Sequence, residues 1–154
     1  MSTTMIHPVQ DDELVGVAQL RWQWFREVRG TPATTQEEFT ESFVAWAQAN
    51  RSSHRCLVLV EDAVVIGMAW LAIYQRVPSV GTSQRLSGDV QSVYVVPDRR
   101  DSGLGSELID AVVRLADELG LQPLTVNSST KAVNAYIRRG FVTSPELLKA
   151  EFVR

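Results

Sequence analysis

The chain has 154 residues, of which 45% are hydrophobic and 21% are charged, and its formal net charge at pH 7 is −3. This length suits one domain with its own core, so we expect a single domain over residues 1–154. The weak negative charge argues against a nucleic-acid partner, because phosphate binding needs clustered Lys and Arg. One cysteine and two histidines exclude an intrachain disulfide and a Cys/His metal cluster. No run reaches transmembrane length and no signal-peptide pattern is present, so we expect a cytoplasmic protein without membrane association.

The first third of the chain predicts an edge strand followed by two helices. Residues 5–9 are mostly apolar and contain a proline, which suits the edge of a sheet. Asp11 or Asp12 is placed to cap a first helix. Thr35 and Glu38 have the spacing of a capping box, which predicts the start of a second helix.

The middle of the chain predicts a run of strands. Residues 55–60 and 64–74 are rich in apolar and β-branched side chains and are joined by a tight turn. The second of these strands is apolar on both faces, which is typical of the centre of a sheet. Residues 76–88 combine a proline with glycines and serines and predict a loop, and residues 90–96 predict the next strand.

The most informative stretch runs from residue 90 to residue 119. Its strand is followed by the pattern R-x-x-G-x-G at Arg100, Gly103 and Gly105, and then by a helix with an apolar residue at every third or fourth position. Glycines allow a main chain to approach a ligand closely. The free N–H groups of the first helical turn attract an anion, so the loop is predicted to hold phosphate, most naturally a diphosphate.

The last third of the chain predicts a short strand at residues 122–127, a short helix, and a final strand that begins at Phe141. The complete order is β-α-α-β-β-β-α-β-α-β. It combines antiparallel hairpins with one β-α-β unit. We therefore expect an α/β (α+β) fold in which one mixed sheet has helices on both faces.

Two motifs together resemble those of the GCN5-related N-acetyltransferases, the GNAT superfamily. The segment VYVVPDRRDSGLGSELI matches the acetyl-CoA signature of that family, and the pattern A-x-x-x-Y-x-x-x-G-F follows one strand later. The second motif consists of Ala132, Tyr136, Gly140 and Phe141. The element order is similar too, so the resemblance covers essentially the whole chain. It implies a GNAT-like fold with a V-shaped splay between the fourth and fifth strands.

The resemblance also implies acetyl-CoA as the cosubstrate. Its pantetheine would pair with the backbone of Val93 and Val95 in the splay, and its diphosphate would contact the amides of the glycine loop. Ser129 stands where many relatives carry asparagine; it can still cap the last helix, and Asn127 is close enough to add a contact. The expected cofactor-binding residues are Val93, Tyr94, Val95, Arg100, Asp101, Ser102, Gly103, Leu104, Gly105, Ser106, Asn127 and Ser129.

The chemistry that the resemblance implies is direct attack of an amine on the thioester in a ternary complex. Tyr136 matches the residue that meets the departing thiolate. Because a phenol has a pKa of about 10 and a thiol one of about 8.5, full proton donation would be uphill by roughly 2 kcal/mol. A hydrogen bond that strengthens as the sulfur gains charge is the better role, and simple packing of the ring is the alternative.

The general base is less well defined. Many relatives place a glutamate on the central strand where this chain has Gln91, which cannot accept a proton. Asp89 has the same facing by strand periodicity and is the candidate base, acting through water. The alternatives are that Asp89 is a solvated residue at the start of the strand, or that solvent deprotonates the amine.

The acceptor is expected to be a primary amine whose identity the sequence does not specify. Trp22 and Phe25 on the first helix would border the acceptor side, although core packing is the alternative. Arg85, in the predicted loop, would bind an acidic group, with loop solubility as the alternative, and Gln91 completes the expected substrate-binding set. A homodimer is compatible with this architecture.

Two other functions are considered. The glutamine at position 91 suggests a non-catalytic acyl-CoA-binding module or sensor as the rival to an enzyme. A dinucleotide-binding oxidoreductase fits poorly, because its glycine turn should follow the first strand and here the glycines come late in the chain.

Overall fold

The structure is a computed structural model that describes residues 3–154. Its centre is a five-stranded sheet in the order β1-β2-β3-β4-β5. The first four strands pair antiparallel, and β5 pairs parallel to β4. This mixed sheet confirms the predicted fold class, with β1 at an edge and β3 at the centre. The strands are β1 (Thr4–Pro8), β2 (His54–Glu61), β3 (Val64–Arg76), β4 (Arg85–Val95) and β5 (Leu124–Val126).

Helices cover both faces of the sheet, as predicted. One hydrophobic cluster joins the first two helices to one face, and a second cluster joins the last two helices to the opposite face. Fully buried residues lie at the centre of each cluster, such as Val17 on the first face and Leu108 on the second. The helices are α1 (Leu14–Arg29), α2 (Gln36–Ala49), α3 (Leu104–Glu118) and α4 (Val133–Ile137).

The helix starts agree with the sequence analysis in one case and differ in another. The Oγ1 atom of Thr35 accepts a hydrogen bond from the third backbone N–H of α2 at 3.2 Å, which confirms the predicted cap. The expected cap at Asp11 or Asp12 is wrong, because both lie inside a 3-10 turn that precedes α1. The cap position belongs to Gln10, whose N–H donates to Glu13 Oε1 at 2.9 Å. The chain therefore enters the helical region before either aspartate can cap it.

Two other predicted boundaries are wrong. β4 begins at Arg85 instead of residue 90, because the long strand β3 offers backbone partners that extend the pairing as far as Arg76 opposite Arg85. Arg85 is therefore a strand residue and not part of a loop. The final strand expected from Phe141 is absent, since residues 141–154 contain no helix or strand. The Phe141 ring instead packs edge-on against Tyr136, with ring centroids 5.3 Å apart.

The fourth and fifth strands diverge. They pair only where residues 88–90 of β4 meet residues 124–126 of β5. β4 continues to Val95, whereas β5 ends at Val126, so residues 91–95 have no β5 partner. This is the predicted V-shaped splay, and it leaves one backbone edge of β4 open.

A bulge marks the point where the splay begins. Met68 lies opposite Tyr94 and Trp70 lies opposite Gln91, so β4 has one more residue than β3 across this interval. Ser92 has a positive φ of 56°, as expected of a residue displaced from regular pairing. One inserted residue reverses which face the following side chains occupy.

Candidate active site

The loop between β4 and α3 presents unpaired backbone N–H groups. Gly103 is the N-cap of α3 and no side chain caps the helix. The first bond of the helix runs from Glu107 N to Gly103 O at 3.1 Å. Among residues 3–154, no acceptor is found for the N–H groups of residues 104–106, which carry the positive end of the helix dipole.

Other residues of the loop shape its path. Asp101 and Ser102 are exposed, and Asp101 has a positive φ of 64°. The hydroxyl of Ser102 donates to Arg99 O at 2.8 Å. The side chain of Leu104 is buried in the core beneath α3. Only the backbone of Leu104 is therefore directed at a ligand on the loop.

The two glycines of the loop have different physical requirements. Gly103 has a φ of +86°, which strains any residue with a Cβ atom. Gly105 lies in the first turn of α3 without a positive φ, and a Cβ atom there would meet no atom within 4 Å. The protein's own packing therefore does not account for the glycine at position 105. A phosphate close to the backbone would account for it, so the space at this turn is compatible with the diphosphate of acetyl-CoA.

The open edge of β4 exposes the backbone of the two valines named from the resemblance. Val96 N donates to Ile66 O of β3 at 2.9 Å. Because successive peptide groups of a strand point to opposite sides, those of Val93 and Val95 point away from β3 and toward the splay. Val95 O accepts a hydrogen bond from Arg100 Nε at 2.7 Å, and a carbonyl oxygen has a second lone pair for a ligand.

The side chain of Arg100 ties the loop to α1. Its Nη2 atom lies 3.2 Å from Glu27 Oε2, and its guanidinium lies over the Tyr94 ring at 5.0 Å from the centroid. The Tyr94 hydroxyl donates to Glu27, and burial together with this hydrogen bond raises the pKa of Tyr94. Tyr94 therefore faces α1, and Arg100 holds the loop in position. The sequence analysis missed Glu27, because no local pattern marks it.

Tyr136 lies on α4 and is only 6% exposed. It shares a hydrophobic cluster with Val95 and Leu104, so its ring is on the α3 side of the sheet. Burial raises the pKa of its phenol, which keeps the hydroxyl protonated and able to donate. No protein acceptor for this hydroxyl is found in the part of the chain that the structure describes.

Asn127 and Ser129, which follow β5, are exposed. Asn127 lies directly after the strand, and Ser129 precedes a 3-10 turn at Thr130–Ala132. Ala132 N donates to Ser129 O at 3.0 Å, whereas the Ser129 side chain makes no capping bond. The expected side-chain cap is therefore wrong, because the tight turn uses the serine carbonyl instead.

Asp89 and Gln91 lie on the face of the sheet that α1 and α2 cover, opposite to the face of Tyr136. Asp89 Oδ2 accepts from Gln91 Nε2 at 3.1 Å, which confirms their common facing. Asp89 Oδ1 accepts from Thr125 Oγ1 at 2.7 Å. Asp89 is half-buried in the middle of β4, so its expected place at a strand start is wrong. Both carboxylate oxygens already accept one hydrogen bond, which fixes the orientation of the group.

An arginine that the sequence analysis missed reaches the bulge. Arg21 of α1 donates from Nη1 to Ser92 Oγ at 2.7 Å, and this contact is partly buried. Burial lowers the pKa of Arg21. A signal was present in the sequence, since position 21 lies three and four residues after the buried Ala18 and Val17. An arginine on the buried stripe of an amphipathic helix needs a polar partner.

The other expected acceptor residues are Trp22 and Phe25 on α1 and Arg85 at the start of β4. Trp22 contacts Phe39 of α2 at 6.0 Å between ring centroids, and Phe25 is 40% exposed. Arg85 donates from Nη1 to Val77 O at 3.0 Å. It lies seven residues before Ser92 along β4, which is about 23 Å at the rise of a strand. The structure therefore does not bring Arg85 to the bulge.

An open groove runs along the outer side of α1. Its volume is about 470 Å³. Trp22 of the expected acceptor set lies in it, and Glu27, which holds Arg100, forms part of its wall. The groove is lined by Gln19, Trp22, Gln23, Arg26, Glu27 and Gln36.

Other kinds of site find no support in residues 3–154. Cys56 is buried, and burial raises the pKa of its thiol, as expected for an inert cysteine. No group of three or more His, Cys, Asp or Glu side chains is arranged to hold a metal ion. No helix in this part of the chain is both long and apolar enough to cross a bilayer.

Comparison with known proteins agrees with the fold and the element order. Residues 14–141 match the family described as "Acetyltransferase (GNAT) family". The chain belongs to the GNAT family. A provisionally named acetyltransferase of Bacillus subtilis (strain 168) is 31% identical to this GNAT protein over 80 residues, which are 49% of this chain and 54% of that protein. The chain thus spans about half the length of this curated relative.

Solved GNAT-like structures match nearly the whole chain. A predicted acetyltransferase from Clostridium acetobutylicum, crystallised with acetyl-CoA, has a TM-score of 0.76 and 18% identity, covering 97% of this chain and 96% of its own. Glucosamine-6-phosphate N-acetyltransferase from Arabidopsis thaliana has a TM-score of 0.73 and 17% identity, covering 98% and 99%. At these identities the likeness establishes the fold, and it confirms the GNAT-like fold inferred from the two motifs.

Proposed function

We propose that this GNAT protein is an acetyl-CoA-dependent N-acetyltransferase that moves an acetyl group to a primary amine by direct attack in a ternary complex. The observation that carries the proposal is the unpaired amide turn at residues 104–106, next to a glycine that internal packing does not require. Family membership supports acetyl transfer, and the acetyl-CoA in the Clostridium acetobutylicum structure supports the donor.

The donor, when bound, supplies an activated acetyl thioester. The amides of residues 101–106 hold its diphosphate with main-chain N–H groups, so Asp101 and Ser102 contribute backbone only, whereas Arg100 N already donates to Pro97 O at 3.3 Å. The backbone of Val93 and Val95 aligns the pantetheine along the open edge of β4, with one lone pair of Val95 O already used by Arg100. Tyr94, whose ring packs on the α1 side of the sheet, supports this edge of β4.

Tyr136 acts at the departing sulfur. Its raised pKa makes it a poor acid but a good neutral donor, so its hydroxyl forms a hydrogen bond that strengthens as negative charge develops on the thiolate. Asn127 and Ser129, which follow β5, contribute further contacts to the donor. The proton that the sulfur finally acquires comes from the substituted ammonium group of the product.

The acceptor amine must lose a proton before it attacks. Asp89 is the candidate base through a bridging water, because each of its oxygens keeps a free lone pair beside its present hydrogen bond. Gln91 and Thr125 orient it. Deprotonation by solvent is the alternative. Gln91, Trp22 and Phe25 remain the proposed acceptor contacts, whereas Arg85 would contact only the far end of a long acceptor.

One observation favours a second candidate function. Gln91 cannot serve as a base, and Asp89 is held by Thr125 and Gln91 instead of being free. A non-catalytic acyl-CoA-binding module or sensor would show this combination of an intact donor loop and a weakened acceptor side. It predicts acetyl-CoA binding without turnover.

The test separates donor binding from turnover. Isothermal titration with acetyl-CoA should show binding in the micromolar range, and release of free CoA thiol should follow when amines of several classes are added. Turnover that falls strongly in Tyr136→Phe supports the enzyme. Binding without turnover across the panel supports the sensor. Absence of acetyl-CoA binding by the folded protein would overturn both proposals.

Two further proposals concern the location and the oligomeric state of the protein. We propose a cytoplasmic location, which cell fractionation tests, and a homodimer formed through an edge of the sheet. β1 and the outer side of β5 have no neighbouring strand within residues 3–154. Light scattering that gives a monomer mass at micromolar concentration would exclude a stable dimer.

A further inference from the structure

We propose that Arg21 and Ser92 form an anion-binding subsite beside the acceptor position, so that the preferred acceptor is an amine that also carries a carboxylate or phosphate group. The acceptor part of this inference rests on the proposed acetyl transfer. The anion-binding part is a property of the protein itself. The two parts are tested separately below.

The first argument is the geometry of the pair. Arg21 Nη1 lies 2.7 Å from Ser92 Oγ, and the guanidinium lies 5.0 Å from the centroid of the Trp24 ring. A guanidinium has five N–H donors in a planar fork, so most of them remain available. Ser92 accepts this bond through its oxygen, which leaves its own O–H free to donate. Both groups can therefore donate to the same anion.

The second argument is the lack of a counter-charge. Arg21 is half-buried and desolvated, and it makes no ion pair with any residue in the range 3–154. A charge taken out of water without a partner costs free energy. Arg100, which also contacts α1, has Glu27 as its partner. A bound anion would supply Arg21 with a counter-charge, as Glu27 does for Arg100.

The acidic groups Glu27 of α1 and Asp89 of β4 are already engaged. Glu27 binds Arg100 and the Tyr94 hydroxyl. Asp89 accepts from Thr125 and Gln91. Neither carboxylate lies within ion-pair distance of the Arg21 guanidinium, so the protein does not satisfy this charge from its own side chains.

The third argument is location. Ser92 is the bulge residue, and the next residue, Val93, is the first whose peptide group points into the splay. One residue step along a strand is about 3.3 Å. An anion held by Arg21 and Ser92 would therefore lie only a few bonds from an amine placed at the splay. Amino acids and short phosphorylated amines have this spacing.

The first experiment compares matched acceptors by release of CoA thiol. Phenylalanine is compared with phenethylamine, and phosphoethanolamine with ethanolamine, so that the two arms separate carboxylate from phosphate. The measured quantity is kcat/KM for the amine that carries the carboxylate or phosphate, divided by kcat/KM for the matched amine that lacks it. Comparing this ratio between wild type and variant cancels the intrinsic reactivity of each amine.

In Arg21→Gln the ratio should fall about tenfold or more for at least one pair, because a charge-assisted hydrogen bond is lost. Ser92→Ala should lower it in the same arm by a smaller factor, and it provides the test if Arg21→Gln fails to fold. Arg29→Gln makes the same charge change on the same helix and should leave the ratio within about twofold. An unchanged ratio in Arg21→Gln would overturn the proposal. So would an equal loss of activity with amines that carry the anionic group and amines that lack it.

The second experiment needs no turnover. Inorganic phosphate and acetate are titrated separately into the protein without acetyl-CoA, and the thermal unfolding midpoint is followed. At least one anion should raise the wild-type midpoint, and the rise should shrink in Arg21→Gln but not in Arg29→Gln. An equal rise in wild type and Arg21→Gln, or no rise in wild type, would overturn the subsite. Failure of acetyl-CoA binding with the Arg21-dependent rise intact would overturn only the acetyl-transfer proposal.

Discussion

Replacing Gly105 by alanine should strengthen the fold while weakening the donor site. A Cβ atom at this position meets no atom within 4 Å, and the residue lies in the first turn of α3 without a positive φ. Alanine exceeds glycine in helix propensity by up to about 1 kcal/mol. In a chain of this size, that gain raises the thermal unfolding midpoint by about 2–4 °C.

The same substitution should weaken the binding of acetyl-CoA. The added methyl group would occupy space in which we place the diphosphate, and the loss of one charge-assisted hydrogen bond is worth about 1.5–3 kcal/mol. The dissociation constant measured by isothermal titration should therefore rise by about 10-fold to 150-fold.

Gly103→Ala is the matched control. Gly103 has a φ of +86°, so an alanine there should cost about 1–2 kcal/mol of unfolding free energy. Unfolding curves in urea measure both variants. If Gly105→Ala is as destabilising as Gly103→Ala, the glycine is required by the fold. If Gly105→Ala binds acetyl-CoA as tightly as wild type, the phosphate does not lie against this turn.

Three further predictions concern Tyr136, the buried thiol and a helix cap. Tyr136→Phe should lower kcat by about 100-fold or more, while the unfolding free energy changes by less than about 0.5 kcal/mol, because the hydroxyl has no acceptor in the described chain. Burial raises the pKa of Cys56, so above about pH 8.5 the unfolded thiol ionises while the folded one does not. This thiol therefore leaves the free energy of unfolding unchanged below that pH and lowers it by about 1.4 kcal/mol per pH unit above it, as urea unfolding should show. Thr35→Ala should cost about 1 kcal/mol, measured in the same way, because the cap to α2 is lost.

Each of these predictions has its own control. Tyr94→Phe removes a hydroxyl that donates to Glu27, so it should destabilise the protein where Tyr136→Phe does not, and equal stability losses would contradict the argument. Cys56→Ala should abolish the part of the alkaline slope that begins near pH 8.5, and an unchanged slope would assign it to other groups. Thr34→Ala, whose hydroxyl contacts only the Glu38 side chain, should cost less than Thr35→Ala.

Much of the fold was predictable because its signals are local. The amphipathic period of α3, the Thr35 cap and the apolar strand β3 each depend on residues within one element. The errors occurred where two distant segments compete for the same backbone groups. β4 starts five residues early because β3 is long enough to pair with it, and the segment after Phe141 packs its ring on Tyr136 instead of adding a strand.

The sequence by itself determined the loop and the helix start that we propose for the donor. The order strand, R-x-x-G-x-G and helix specifies the exposed amides, because glycine conformation and helix periodicity are properties of neighbouring residues. Tyr136 was singled out through the resemblance of its spacing from Gly140 and Phe141 to the family motif, and its role at the thiolate stays a prediction. These features depend little on how the rest of the chain folds.

Only the tertiary structure decided the contacts on the side that we propose for the acceptor. Arg21 and Ser92 are 71 residues apart, and Glu27 and Arg100 are 73 apart. Their contacts exist because α1 packs on the face of the sheet to which Tyr94 belongs, and because one inserted residue at the bulge turns Ser92 toward that helix. Register and helix docking arise from packing between distant segments, and no local pattern records which polar groups that packing will bring together.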